Sequence, residues 1–268
     1  IFDAPDIDAV IIATPPPTHF SLARDAMLCG KHVLLEKPMV TRLEDGYVLR
    51  DIAEKSGKIF MVGHQYCYND HIRMLKKNIP MLGEVRYVFC EQMLFGPLRA
   101  DIGCLRDRAT HELSIIDYLF RPGTIRRVNG ITAEVVKNGC EDFASFHIEF
   151  ENGLVAGIAC SWFAPVKTRR MSIAGTKGLA FFDDCTADQK LKFFNFPYPE
   201  EALSSIHGSL ELVARENQMY VPHIAAGEPL KNELLHFIEC IKTSARPLTD
   251  SAHGIRITEY LERIGKSI

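Results

Sequence analysis

The residues best suited to chemistry start at Glu36-Lys37-Pro38, directly behind the apolar run His32-Val-Leu-Leu35. A carboxylate, an ammonium and a proline there close a strand. In an open α/β sheet, ligands bind outside the carboxyl ends of the strands. Pro38 fixes its own φ and biases Lys37 toward extended backbone, which aims the ammonium at that place. Taken alone, the tripeptide could equally be a solvated turn. The second group is Asp107-x-x-x-His111. A lysine, with an ordinary pKa of about 10.4, suits the role of donor to a developing alkoxide better than that of base. A histidine is the better base near neutral pH. If one helix holds both, Asp107 and His111 share a face and the carboxylate can orient the imidazole. Helix capping alone would also account for the pair.

Other candidates surround these two groups. Thr14-Pro15-Pro16 forms a rigid wall with few backbone donors, or simply ends a strand. His64 and Gln65 close another strand. Glu36 pairs locally or holds hydroxyls. Lys167, Arg169 and Arg170 make a basic strip after Trp162. That strip could hold a diphosphate, or could be a charged strand edge that blocks aggregation.

The elements that must position these residues can be read from periodicity. Ala9-Val-Ile-Ile-Ala13 is a short continuous apolar run, the pattern of a parallel strand buried on both faces. Ser21 to Cys29 has helical spacing, and Gly30 stops it. After the strand at 32–35, Thr41 and Glu44 read as a capping box for a helix to about Lys55. Ile59 to Val62 is a third strand, so the first 65 residues read strand, helix, strand, helix, strand. That order makes a parallel sheet with helices on its faces. Helices follow at 68–77 and 111–120, with a strand at 84–94 between them. From Ile125 onward the pattern is antiparallel, with Asn138-Gly139 and Asn152-Gly153 as hairpin turns. Segment 195–226 is polar and irregular, and helices close the chain at 231–244 and 250–268. The expected fold class is α/β + α+β. The C-terminal half of a Rossmann-type parallel sheet (1–65) precedes a domain with a large, mainly antiparallel sheet (66–230), and helices 231–268 pack back on both.

Composition narrows the function. The chain has 268 residues, 47% apolar and 24% charged, with a net charge of −3, which argues against a nucleic-acid surface. No apolar run approaches a membrane span. Eight scattered cysteines without a C-x-x-C pair read as reduced, mostly buried thiols of a cytoplasmic protein. His111-Glu112 lacks the second histidine of a zinc-protease signature, so no metal is expected. No G-x-G-x-x-G occurs.

In order and spacing the motifs resemble the Gfo/Idh/MocA family of NAD(P)-dependent oxidoreductases. They are Ala9-Val-Ile-Ile-Ala-Thr14-Pro15-Pro16 with His19, Glu36-Lys37-Pro38, Gly63-His64, Asp107-x-x-x-His111 and Arg246-Pro-Leu-Thr-Asp250. A narrower likeness rests on Arg99-Ala-Asp101, the segment 105–115, Trp162 to Arg170 and Phe182-Asp183-Asp184. These are similar to the branch that oxidises UDP-linked N-acetylhexosaminuronates at C3. The resemblance implies NAD or NADP beside Thr14, Pro15, Pro16, His19, Glu36, Lys37, Pro38, His64 and Gln65. It implies a sugar or nucleotide sugar beside Lys37, Arg99, Asp107, His111, Trp162, Lys167 and Arg169. Lys37, His111 and Asp107 would be catalytic. A homodimer or homotetramer would form through the antiparallel sheet. Arg106 stands where the branch has an aromatic residue. Full-length members begin with two further strands and the glycine fingerprint, about 60–70 residues. On that reading these 268 residues alone are expected to be inactive. The alternative is a non-catalytic oligomeric binding module or a decayed paralogue.

Overall fold

The computed structural model describes residues 1–99, 101–136, 139–195, 219–225 and 227–268. A small parallel sheet comes first, in the order β1 (Ala9–Ile12), β2 (His32–Glu36), β3 (Phe60–Gly63). Helix α1 (His19–Leu28) connects the first two strands and α2 (Leu43–Ser56) the second two. On β2, Val33 and Leu35 face Ala23, Ala26, Met27 and Leu49 of these helices. Leu34 turns to the opposite face, against Tyr68 and Phe237. Both faces are therefore covered, which is why β2 and β3 read as unbroken apolar runs. β1 departs from that expectation. It is an edge strand of the sheet, and Ile11 is 57% exposed. The capping box also gives way. Arg42 is the N-cap of α2, with no side-chain cap bond. Gly57 does end the helix, at φ +64°.

Gln65–Tyr68 is a 3₁₀ turn, and Asn69 caps α3 (Asp70–Asn78) by accepting from the amides of His71 and Ile72. β4 (Val85–Phe95) leads to a π-helical turn at Leu105–Ala109, which runs into α4 (Thr110–Phe120). Then come β5 (Ile125–Ala133), β6 (Phe143–Phe150), β7 (Val155–Ser161), β8 (Phe163–Gly175), β9 (Gly178–Asp183), β10 (Leu191–Asn195) and the short β11 (Met219–Tyr220). They form one eight-stranded sheet with the order β11-β10-β9-β8-β4-β7-β6-β5. Only its β4–β7 pairing is parallel. Of the two expected hairpin turns, Gly153 lies at φ +87° between β6 and β7; Asn138 falls outside the described residues. So do residues 196–218 and 226 of the irregular segment 195–226.

One face of the large sheet carries the main core. Phe146, Ile148, Phe150, Ile158 and Met171 pack there against α3, α4 and the last helix, α6 (Ser251–Gly265). α5 (Pro229–Thr243) covers the small sheet through Phe237. α6 joins the two sheets: Ile255 packs on the first core, and Ile257, Leu261 and Ile264 pack on the second. Just before it, Thr249 bonds Val62 twice, backbone to backbone at 2.8 Å and through its hydroxyl at 2.7 Å. Five of the eight cysteines, Cys67, Cys90, Cys104, Cys160 and Cys240, are buried. No helix among the described residues is long and apolar enough to cross a membrane.

Candidate active site

Three turns meet at the carboxyl ends of β1, β2 and β3. Thr14 and Pro15 are exposed, Pro16 opens a short 3₁₀ turn, and His19 begins α1 in full burial. Its Nδ1 lies 2.8 Å from the Pro38 carbonyl and its Nε2 2.8 Å from the Thr14 carbonyl. At the end of β2, the Lys37 amide donates to Glu36 Oε2 at 3.2 Å. At the end of β3, a Cβ on Gly63 would sit 3.2 Å from Glu36 Oε2 and 3.3 Å from Glu233 Oε1. Glycine is what lets both carboxyls approach that strand end. Glu233, on α5, is fully buried, and neither of its oxygens has a hydrogen-bond partner among the described residues. Burial, then the neighbouring Glu36, pushes its carboxyl up to about 8.

Lys37 reaches across to the second sheet. Its ammonium donates to Asp107 Oδ1 at 2.8 Å and to the Asp107 carbonyl at 2.9 Å. Two of its three protons are engaged, and one remains. The indole N–H of Trp162 donates to Asp107 Oδ2 at 3.1 Å. Arg108 Nε lies 3.0 Å from Oδ2 and Arg99 NH1 3.9 Å from Oδ1. Burial alone would raise the Asp107 carboxyl. The Lys37 ammonium and Arg108 outweigh it and hold the group below its ordinary value.

His111 begins α4 beside this pair. Its Nδ1 is buried without a hydrogen-bond partner among the described residues, and its ring stands edge-on to Tyr66 at 5.2 Å. Burial first, then the charges of Lys37 and Arg169, hold the imidazole well below the ordinary histidine range. His111 is therefore neutral at physiological pH, the form that can take a proton. Among the described residues no hydrogen bond runs from the His111 ring to Asp107, so the expected orientation of the imidazole by that carboxylate is not seen. Asp107 lies in the π-helical turn, not in the regular helix, so four residues no longer bring it onto the imidazole. Both its oxygens already serve Lys37 and Trp162.

The structure thus brings together Lys37, Asp107, His111, Trp162, Arg99 and Arg169, with Glu36, Pro38, Thr14, Pro15, Pro16 and His19 on the adjoining turns. Trp162 is fully buried and holds Asp107; it is not open to a ligand. The basic strip does not act as a unit, because strand alternation splits it. Arg169 turns inward, over the Tyr66 ring at 4.8 Å and onto Asp184 at 3.1 Å. Arg170 turns outward to Asp183 at 3.2 Å, and Lys167 is exposed. His64 is buried, with neither ring nitrogen partnered among the described residues, edge-on to His253 at 5.0 Å. Burial, then His253 and Lys37, hold it well below the ordinary range. Gln65 lines a cavity of about 680 Å³ with Tyr66, Asp184 and Lys190.

Sequence reading missed several of these groups. Glu112 is buried with Oε1 unpartnered, and burial pushes it up to about 7. Asp117, deep on α4, accepts from Arg256 at 2.7 Å and pairs with His253 at 3.0 Å. His253 Nε2 then meets Ser114 Oγ at 2.9 Å. The spacing of His111, Ser114 and Asp117, which puts them on one helix face, was the signal available. Tyr66 and Arg108 gave none.

Residues 1–64 match the description "Oxidoreductase family, NAD-binding Rossmann fold", and residues 82–181 match "GFO/IDH/MocA C-terminal domain". The chain belongs to the Gfo/Idh/MocA oxidoreductase family. UDP-N-acetylglucosamine 3-dehydrogenase of Acidithiobacillus ferrooxidans is 32% identical to this family member over 171 residues, 63% of this chain and 53% of that protein. The solved structure of that dehydrogenase aligns with a TM-score of 0.83 at 23% identity, covering 98% of this chain and 79% of the other. An inositol dehydrogenase homolog from Azotobacter vinelandii, complexed with NADH and myo-inositol, aligns with a TM-score of 0.81 at 23% identity, covering 99% and 77%. At that identity the two structures show the fold. The chain spans about half the length of the curated relatives it matches.

The residues at the strand ends fit a nicotinamide dinucleotide. The unpartnered nitrogens of His64 and oxygens of Glu233, with Glu36 beside them, form a polar set at the ends of β2 and β3. The exposed Pro15 forms an apolar wall at the end of β1.

Proposed function

We propose that this chain is the catalytic portion of an NAD(P)-dependent dehydrogenase that oxidises a secondary hydroxyl of a sugar or nucleotide sugar. One observation carries the reading. The Lys37 ammonium at the end of β2 bonds Asp107 at 2.8 Å, and its charge acts on the His111 imidazole at the start of α4, although 74 positions separate Lys37 from His111 in the chain. The dinucleotide, when bound, supplies the hydride acceptor. The remaining Lys37 proton bonds the substrate oxygen and stabilises the alkoxide as charge develops. His111 takes the hydroxyl proton. Asp107 holds the ammonium in place, and Trp162 and Arg108 hold Asp107. Thr14, Pro15, Pro16, Glu36 and Pro38 border the cofactor, with His64 and Gln65 at the next strand end.

We assign the substrate to the UDP-linked N-acetylhexosamines and their uronates, reacting at C3. The curated relative supports this assignment, as do the three guanidinium groups of Arg99, Arg108 and Arg169, which suit an anionic substrate. We also propose that the exposed face of the large sheet pairs two copies of the chain. Tyr87 (49% exposed) and Phe89 (38%) stand on that face, opposite Val155 and Gly157.

The test is Lys37→Ala in the full-length protein. Turnover should fall by about 10²–10³-fold, as for loss of an oxyanion donor, while NADH binding changes little. Turnover equal to wild type would remove the mechanism.

A further inference from the structure

We propose that Glu233 is a positioning residue for the cofactor: a neutral carboxylic acid that lends its proton to Glu36 across Gly63 and so orients that carboxylate at the end of β2. Glu233 stands on α5, wholly buried, with neither oxygen hydrogen-bonded among the described residues. A charged carboxylate in that place would carry the cost of burial with nothing to offset it. Among the described residues no cation pairs with it; the Lys37 ammonium, next to Glu36 in the chain, is spent on Asp107. The charged group that Glu233 does face is Glu36, a second carboxyl. Both come up to one point. A Cβ on Gly63 would lie 3.2 Å from Glu36 Oε2 and 3.3 Å from Glu233 Oε1. Two carboxylates crowded together out of water do not both stay charged. One proton between them turns the repulsion into a charge-assisted O–H···O bond. The terminal torsion of a glutamate is broad, so a turn of either group closes that bond.

The place of the pair gives it a use. Glu36 ends β2, Gly63 ends β3, and Glu36 Oε2 accepts from the Lys37 amide at 3.2 Å. A carboxylate has about four acceptor positions. The Lys37 amide and the Glu233 proton take two and fix the plane of the group. Glu36 is half-buried, so the others are left for the hydroxyls of a nucleotide ribose. The other titratable groups that sense Glu233 are Cys67 and Tyr68, on the turn after β3, and burial raises both, which keeps them protonated. Burial, then Glu36, raises the Glu233 carboxyl to about 8. Its proton is therefore in place at neutral pH. It leaves as pH climbs through that value, and two negative groups then oppose each other across Gly63. The link to the dinucleotide rests on the function proposed above; the shared proton does not.

Two measurements on the full-length protein test it. The first is NADH binding by fluorescence titration across the range from mildly acid to alkaline pH. The wild-type dissociation constant should stay level up to about pH 8 and rise about tenfold beyond it. Glu233→Gln keeps a donor and carries no charge, so its constant should stay level throughout. Glu233→Ala removes the donor, and its constant should already be about tenfold higher below neutral pH. The same alkaline rise in Glu233→Gln as in wild type, or wild-type affinity in Glu233→Ala, would overturn the positioning role. The second measurement is infrared difference spectroscopy just below neutral pH. The carbonyl stretch of a protonated carboxylic acid should lose one group in Glu233→Gln, and an unchanged band would overturn the neutral acid. Should Glu233→Ala fail to fold, the isosteric Gln variant and the band decide the matter. A wild type that binds no NADH would overturn the proposed function and the cofactor role with it, and the band would then decide the shared proton alone.

Discussion

Burial first, then the charges of Lys37 and Arg169, disfavour the His111 cation, which suits the ring to the proposed role of base. The sign of the pH effect follows. In the proposed mechanism His111 acts when neutral, and burial with the nearby charges pushes its protonation to low pH. The acidic limb of kcat/KM should therefore lie well below the ordinary histidine range. Replacing Arg169 by Gln removes one of the charges that oppose protonation, so the limb should move to higher pH. A pH profile of kcat/KM reads this directly, and an unmoved limb would argue against His111 as the base. Lys37 was legible in the sequence because Pro38 and the preceding apolar run fix its address. That Asp107 belongs to Lys37 and not to His111 was not legible, because the π-helical turn changes the spacing.

At the scale of elements, α4 is the joint between chemistry and core. His111 stands at its start and Asp117 near its end, tied to α6 through His253, Arg256 and, at 3.4 Å, the Tyr260 hydroxyl. Burial alone would raise Asp117. The hydrogen bonds from His253 and Arg256 overcome that and hold the carboxylate well below its usual range. A depressed carboxyl contributes stability above its unfolded pKa of about 3.9, lost as pH falls through the folded value. Asp117→Ala leaves Arg256 and His253 facing a hole. It should cost roughly 3 kcal/mol in guanidinium unfolding near neutral pH, with most of the difference gone in strong acid. The α4–α6 contact also fixes the orientation of the His111 end, so turnover should fall even where the variant remains folded.

For the whole molecule, two buried acids work against stability as pH rises. Glu233 is raised from 4.5 to about 8, and Glu112 from 4.5 to about 7. A raised group gives its full contribution below the unfolded pKa and loses it as pH climbs through the folded one. Glu233→Gln removes one such titration. The variant should match wild type at pH 4.5 and unfold at higher denaturant concentration at pH 8.5; equal midpoints at both would show that Glu233 is already solvated. The exposed sheet face gives a second test. The Phe89 ring lies over Gly157, where a Cβ would come within 2.6 Å of it, leaving a flat apolar strip. Phe89→Glu should lower the apparent mass in sedimentation, without loss of fold, if that strip joins two copies.

The sequence by itself determined the alternation of strands and helices at the start, the large antiparallel sheet after it, and the addresses of Lys37 and His111. Each is a local property: apolar period, a glycine or proline stop, or a residue type at a strand end. Tertiary structure alone decided which groups touch. It buried Trp162 and set its indole on Asp107. It sent Arg169 inward and Arg170 outward, and it left Glu233 and His64 without hydrogen-bond partners among the described residues. Those outcomes depend on packing between segments far apart in the chain, and no periodicity along the chain records which distant side chain will fill a given space.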